Sequence, residues 1–313
     1  MAVVATGFFD GVHPGHRLVI DTLLSEARAR GEQSVVVTFW PHPRAVLQAD
    51  ADSLRYLTSR SERSALLRSL GVDRVETVAF SREFASGSTA DYIGLLRRRF
   101  GCTCLVLGYD TRFGAEQAGP EEIAACARAM GIDAVIAPPF CIDGAPVSSS
   151  RIRAALEDGD VALATRLLCR PYRLHGVVVS GRKIGRTIGF PTANMKLYEP
   201  LMLIPRPGVY ATRVMIGDDS QPWQAPGSSA SACKCGQSLL KGMTNIGTRP
   251  TVNGGYLTIE THILDFDEMI YGLDITVEFH SRIRDEQKFS SLDALRAQLC
   301  SDLLAVNYCA IKL

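Results

Sequence analysis

The sequence predicts two domains of different class: an α/β domain on a doubly wound parallel sheet over residues 1–170, then a compact antiparallel β-barrel with one terminal helix over 171–313. Three observations carry this. Before residue 170, short β-rich runs alternate with amphipathic helical stretches, the pattern of a parallel sheet with helical crossovers. Beyond it, strand-like runs follow one another with turns between them, and no helix appears until about residue 290. A chain of 313 residues is also long enough for two domains, each with its own core.

In the first half, residues 2–6 (AVVAT), 34–39 (SVVVTF), 75–80 (VETVAF), 104–107 (CLVL) and 134–137 (AVIA) read as buried strands, being short apolar runs rich in β-branched residues. Helices are predicted near 15–30, 60–70, 88–99 and 120–130. Ser59-x-x-Glu62 and Ser88-x-x-Asp91 have the spacing of N-terminal caps, in which side chains satisfy free backbone N–H groups. Pro120 with Glu121 and Glu122 suits a first helical turn, and Gly71, Gly101 and Gly131 suit helix ends. Two short helical stretches fill 150–171. In the second half, 175–179, 209–214, 258–264 and 275–279 read as strands. A helix over about 290–305 follows, with Ser290-x-x-Asp293 at its start. The polar stretch 217–238, rich in Gly, Ser and Pro, reads as a hairpin excursion.

Composition narrows the function classes. The hydrophobic fraction of 46% and charged fraction of 21% are those of a globular protein. A formal net charge of +1 gives no overall field toward nucleic acid or an anionic membrane, so neither is an expected partner and any anionic ligand must be held by local groups. The N-terminus shows no basic region followed by a long apolar run, and no stretch is long enough to span a bilayer. The nine cysteines include two C-x-C pairs, 102/104 and 233/235, but no His or further pair completes a zinc set. A reducing cytoplasm is the expected setting.

Chemistry concentrates in two places. The first strand runs directly into Gly7-Phe8-Phe9-Asp10-Gly11-Val12-His13-Pro14-Gly15-His16 and then a helix. The first turn of that helix lies at the carboxyl edge of the sheet, where unpaired N–H groups and the helix dipole attract phosphate. His13 and His16 both reach that point and can donate to a polyphosphate as charge develops on a departing group. Ser148-Ser149-Ser150-Arg151-Ile152-Arg153 places hydroxyls at a second helix start, with Arg153 one turn along, an arrangement suited to an anion. In the second half, Gly181-Arg182-Lys183-Ile184-Gly185-Arg186 is a glycine-rich basic loop suited to wrapping a nucleotide. It leads into Pro191-Thr192-Ala193-Asn194, where a hydroxyl and an amide oxygen offer hard ligands for Mg²⁺. No Walker A sequence is present. Glu260 lies in an alternating strand that turns its carboxylate to one face together with Thr258 and His262.

The H-x-G-H pattern resembles the nucleotidyltransferase signature, and the longer string at 7–16 resembles the FMN adenylyltransferase module of prokaryotic bifunctional riboflavin kinase/FAD synthetases. Residues 38–43 (TFWPHP), 108–114 (GYDTRFG) and 148–153 (SSSRIR) resemble further segments of that module. Ser150 stands where the family usually has Thr, and Thr111 where an aromatic is common. Residues 181–194 resemble the riboflavin kinase fingerprint, as do 245–251 (NIGTRPT), 260–266 (ETHILDF), Tyr271-Gly272 and 283–289 (IRDEQKF), in order. The resemblance implies two ATP-dependent reactions: riboflavin to FMN, then FMN to FAD with release of pyrophosphate. It implies Glu260 as catalytic base of the kinase and Mg²⁺ on Thr192 and Asn194. It also implies ATP contacts from Gly7, Phe8, Phe9, Asp10, His13, His16, Asp110, Ser149, Ser150 and Arg153 in one module and from Gly181, Gly185, Arg186, Thr192 and Asn194 in the other. The resemblance further implies that His13, His16 and Arg153 carry the adenylyl transfer. Two alternatives stay open on sequence alone: a flavin-binding protein that has lost catalysis, and transfer to a different phosphate substrate.

Overall fold

The run AVVAT becomes β1 (Ala2–Thr6), buried along its whole length at the centre of a sheet. In this computed structural model, residues 1–47, 54–181, 184–217, 239–249 and 256–310 are described. They fall into two units, one reaching Ser149 and the other beginning at Ser150. From 218 onward, the polar stretch at 217–238 lies outside the described residues, as do Arg182 and Lys183.

The first unit continues through α1 (Pro14–Arg30), β2 (Gln33–Trp40), α2 (Pro43–Leu47), α3 (Arg60–Ser69), β3 (Arg74–Ala79), α4 (Arg82–Ala85), α5 (Thr89–Phe100), β4 (Cys102–Gly108), α6 (Pro120–Ala129), β5 (Asp133–Ala137) and the small hairpin β6 (Cys141–Ile142) and β7 (Ala145–Pro146). Its five long strands are all parallel, in the order β3-β2-β1-β4-β5. Alternate residues serve opposite faces. Val4, Val35, Val37 and Leu105 pack with Ile93 and Leu96 of α5 and Ile123 of α6. Val3, Ala5, Val36 and Val106 pack with Ile20 and Leu23 of α1 and with Leu66 and Leu67 of α3. Full burial of Ile20 or Leu23 stabilises this face by roughly 1.5–3 kcal/mol per side chain. The strand order changes direction between β1 and β4, and ligands of doubly wound sheets sit outside the carboxyl ends of the strands at such a point.

Caps form where the sequence places them. Ser59 Oγ accepts from the Glu62 backbone N–H at 3.1 Å, and Ser88 and Asp91 make a reciprocal capping box. The short helices α2 and α4 and the β6–β7 hairpin are too brief to leave a periodic signal.

The second unit opens with α7 (Ser149–Glu157, apart from its first residue) and α8 (Val161–Leu168). It proceeds through β8 (Tyr172–Val179), α9 (Ile184–Thr187), β9 (Ala193–Leu197), β10 (Gly208–Ile216), β11 (Leu240–Arg249), β12 (Tyr256–Ile263), β13 (Asp274–Arg284) and α10 (Leu292–Ala310). The six strands close into an antiparallel barrel in the order β10-β11-β12-β9-β8-β13. Thr212, Thr244 and Thr261 link three neighbouring strands through hydroxyl contacts of 2.9 Å, which satisfies polar groups buried in the wall. α10 packs on β10, β11 and β13.

Three details differ from the sequence reading. Two strands, β9 and β11, were not anticipated, because ANMKL and LKGMTNIGTR carry Gly, Asn and Lys in place of an apolar run. A short helical turn, α9, interrupts the expected succession of strands. The cap of α10 is Ser291 and not Ser290: its Oγ accepts from the Ala294 N–H at 3.1 Å, and the helix runs on to Ala310.

The described free cysteines divide by environment. Cys102 and Cys104 are buried in β4, and burial pushes their thiols up to about 12 and about 11. Cys141, Cys169 and Cys300 are exposed. Alkylation of the folded protein at neutral pH, mapped by mass spectrometry, will label these three and spare Cys102 and Cys104 until denaturant is added, since the thiolate is the reactive form. Early labelling of Cys104 would contradict the burial of β4.

Candidate active site

The turn after β1 is costly to build and held from several sides. Phe9, Gly11 and Val12 all have positive φ, at 56°, 82° and 41°. For the two non-glycine residues that conformation costs about 1–3 kcal/mol each, so surrounding contacts must impose it. Asp10 supplies the main anchor. Its buried carboxylate accepts from the backbone N–H groups of Leu57 and Thr58 and from the Thr58 hydroxyl at 3.0–3.1 Å, and the Gly11 N–H donates to Thr58 Oγ1 at 3.1 Å. Ser149 Oγ donates to the Asp10 carbonyl at 2.9 Å, which ties Ser149 to the same turn. Phe9 faces the core beside Val3, Ala5 and Val12. The Asp10 carboxylate is thus engaged by the 57–58 segment, while the Phe9 ring, packed in the core, also meets the His16 ring edge to face with centroids 5.2 Å apart.

His13 and His16 come together as the sequence implies. Their rings stack with centroids 3.6 Å apart and an interplanar angle of 20°. His13 is the N-cap of α1, its Nδ1 accepting from the His16 backbone N–H at 3.4 Å, and Pro14 takes the first helical position. With Nδ1 as acceptor, Nε2 is the nitrogen that carries hydrogen. A side chain at Gly15 would place its Cβ 3.2 Å from the His13 ring and 3.3 Å from the Val147 carbonyl, so the close approach depends on glycine. Gly7 leaves β1 with its N–H on the Val37 carbonyl.

The other motifs of this unit lie at the same sheet edge. His42 of TFWPHP sits 4.1 Å, ring to ring, from Phe8, and Tyr56 lies 5.9 Å from Phe8 on a nearly parallel plane. After β4, Thr111 closes the loop on itself: its hydroxyl accepts from the Gly108 N–H at 2.9 Å. Asp110 is exposed beside it. In the second unit, Ser150 occupies the first turn of α7, with Arg153 one turn further along the same helix.

The barrel gathers its own set. Across adjacent strands, Glu260 of β12 stands opposite Asn194 of β9 on one side and Asn245 of β11 on the other. The Thr192 hydroxyl donates to Glu260 Oε2 at 3.4 Å. His262 Nδ1 lies 2.8 Å from the Pro191 carbonyl and so links β12 to the loop before β9. The glycines of the loop are sterically required: a Cβ on Gly181 would lie 2.4 Å from the Asn194 amide nitrogen, and one on Gly185 would lie 2.2 Å from the Phe190 carbonyl oxygen.

Two cavities meet at Thr192. One, of about 70 Å³, is lined by Gly181, Arg186, Thr192, Asn194 and the 266–271 loop. The other, of about 320 Å³, is lined by apolar side chains including Phe190, Val209, Met243 and Leu299 and by polar ones including Asn245, Glu260, His262 and Glu286. That size and lining suit a small organic ligand. Arg284, also on its wall, is pinned by Asp302 of α10 through three contacts of 2.7–3.0 Å. The sequence reading missed this pair, since no local spacing joins the two residues.

A family model for riboflavin kinase matches residues 168–309, and one for FAD synthetase matches residues 1–151. A bifunctional riboflavin kinase/FMN adenylyltransferase of Escherichia coli (strain K12) is 38% identical over 97% of this chain and 91% of its own length. The chain belongs to the bifunctional riboflavin kinase/FMN adenylyltransferase family. It carries a kinase domain for riboflavin and an adenylyltransferase domain for FMN. A relative of the same description from Pseudomonas fluorescens is 36% identical over 97% of this chain and 92% of its own length. A crystal structure described as a macrolide-efflux protein from Streptococcus pneumoniae superposes with a TM-score of 0.85 at 31% identity, covering 98% of this chain and 93% of that one. What this family member shares with it is the fold; among the described residues no helix is long and apolar enough to cross a membrane.

Proposed function

We propose that the two reactions are carried by the two residue sets described above, with the functional division at residue 170, in a cytoplasmic enzyme. For the kinase, Glu260 accepts or orients the proton of the riboflavin 5′-hydroxyl as that oxygen attacks the γ-phosphate of ATP, breaking its bond to the β,γ-bridging oxygen so that ADP leaves. The isoalloxazine ring takes the cavity of about 320 Å³, and the nucleotide lies along Gly181, Gly185 and Arg186. The observation that carries this reading is the junction of the two cavities at Thr192, whose hydroxyl lies 3.4 Å from the Glu260 carboxylate.

Thr192 and Asn194 fit a Mg²⁺ ion: both are neutral hard-oxygen ligands, and the Asn194 amide is packed against Gly181. When bound there, Mg²⁺ offsets charge on the ATP phosphates. Chelation with EDTA is expected to stop FMN formation and added Mg²⁺ to restore it. Thr192→Val should raise the Mg²⁺ needed for half-maximal rate by about tenfold. FMN produced at full rate in excess EDTA would remove the metal from this site.

For adenylyl transfer, the FMN phosphate attacks the α-phosphate of ATP and pyrophosphate leaves. His13, His16, Ser149, Ser150 and Arg153 place and stabilise negative charge, while Gly7, Phe8, Phe9 and Asp10 shape the turn. Asp110 contributes from the loop after β4. A phosphate is already a nucleophile at neutral pH, so this domain needs no general base.

A further inference from the structure

Arg63 is the one charged side chain among the described residues that is wholly enclosed, at 0% exposure. None of its three guanidinium nitrogens has a hydrogen-bond partner. Burying a cation without hydrogen bonds opposes folding, so stability alone does not account for a guanidinium here.

Its surroundings point to the adenylyl-transfer turn. Arg63 sits in the first turn of α3, directly after the Leu57–Thr58 segment that grips Asp10. Its guanidinium lies over the Phe8 ring, 4.0 Å from the centroid. The face of a phenyl ring carries partial negative charge, and the contact is strengthened by desolvation. Phe8, Asp10 and Gly11 are therefore held by one short stretch of chain, residues 57–63: the ring by Arg63, the carboxylate by Leu57 and Thr58, and the backbone by the Thr58 hydroxyl. His13 and His16 follow within a few residues of this clasp.

We propose that Arg63 is a positioning residue for adenylyl transfer, a buried cation that fixes Phe8 and, through the 57–58 segment, the turn from which His13 and His16 project. Burial lowers the guanidinium pKa, and the charge of Asp10 opposes that shift, so the two groups feel each other without a direct bridge. Because no hydrogen bond locks the guanidinium, its contribution is charge and stacking. Lysine retains the charge and loses the planar face; methionine retains the volume and loses both.

This inference rests on the assignment of residues 7–16 to adenylyl transfer. The test uses the full chain as Arg63→Met and Arg63→Lys, assayed for FMN formation from riboflavin and for FAD formation from FMN, with thermal unfolding of each variant. Arg63→Met is expected to unfold no earlier than the parent, since exchanging an unpaired buried charge for an apolar group of similar volume is often neutral or stabilising. Its kcat for FAD formation should fall by roughly tenfold or more with riboflavin phosphorylation unchanged, a loss of about 1.4 kcal/mol in transition-state stabilisation. Arg63→Lys should recover a large part of that rate. The proposal is overturned if Arg63→Met keeps the parent kcat, if Lys and Met lose activity equally, or if the Met variant is unfolded, which would make Arg63 a structural residue. Loss of the effect in Arg63→Met while His16→Ala still abolishes FAD formation would reject only the role of Arg63. Retention of activity in both would reject the site.

Discussion

Glu260→Gln is expected to lower riboflavin phosphorylation by about 10²–10⁴-fold, the range lost when a positioned general base is removed. Conversion of supplied FMN to FAD should remain unchanged in the same variant. A primary hydroxyl is not ionised at neutral pH, so its oxygen needs a proton acceptor as it attacks. On the proposed assignment that acceptor is Glu260, which is flanked across the strands by Asn194 and Asn245 and has the Thr192 hydroxyl on its carboxylate. Gln keeps the shape and one oxygen that Thr192 can donate to, so the loop and both cavities should persist. The KM values for riboflavin and ATP should therefore move little while kcat collapses, the signature of an interaction made in the transition state. Residual rate is expected as well, because phosphoryl transfer draws mostly on positioning and electrostatics. Steady-state assays with each substrate varied, read by chromatography, decide the matter. A kcat close to that of the parent would remove Glu260 from the chemistry.

How far the sequence speaks for itself depends on whether the partners of a residue are local. β1, β2 and β4 are buried on both faces, so their continuous apolar runs announce them. Ser59 and Ser88 cap through residues three positions away, within reach of a spacing argument. β9 and β11 have no such signal. Their residues answer to the glycine-rich loop packed on Asn194 and to the polar ladder of a closed barrel, where Thr244 meets Thr212 and Thr261. The site divides in the same way. His13 and His16 are joined by one helical turn and Thr192 and Asn194 by one β-strand repeat, so both pairs are legible as motifs. The grip of Leu57 and Thr58 on Asp10, the stacking of Arg63 on Phe8 and the Arg284–Asp302 pair each join elements far apart in the chain. The Ser59–Glu62 stretch read only as a cap; that its neighbours Thr58 and Arg63 contact the turn after β1 emerges only in the folded unit. Thr111 is a further case, since its bond to Gly108 gives it a loop-closing role in place of an aromatic surface.

His16→Ala should reduce FAD formation from FMN by about 10²–10³-fold, the usual loss when one donor to developing charge is removed from an organised site. Riboflavin phosphorylation in the same protein should stay at the parent rate. The second ionisation of a phosphate monoester falls near pH 6 (about 6), so FMN arrives already able to attack and gains nothing from a base. What remains to be stabilised is negative charge spreading over the α-phosphate and the departing pyrophosphate. On the proposed assignment, the α1 N-terminus and the stacked imidazoles meet that charge. The substitution tests this cleanly because the cap of α1 uses the His16 backbone N–H, which Ala keeps, and His13 Nδ1, which is untouched. Ala also has the higher helix propensity, so α1 has no reason to fray. His13 loses a stacking neighbour, yet it stays enclosed near Gly15 and Val147. The fall should therefore appear in kcat with an unchanged unfolding midpoint. Parallel loss of both activities would mean that the two chemistries share a determinant at this turn, and an undiminished rate of FAD formation would mean that charge on the α-phosphate is met elsewhere.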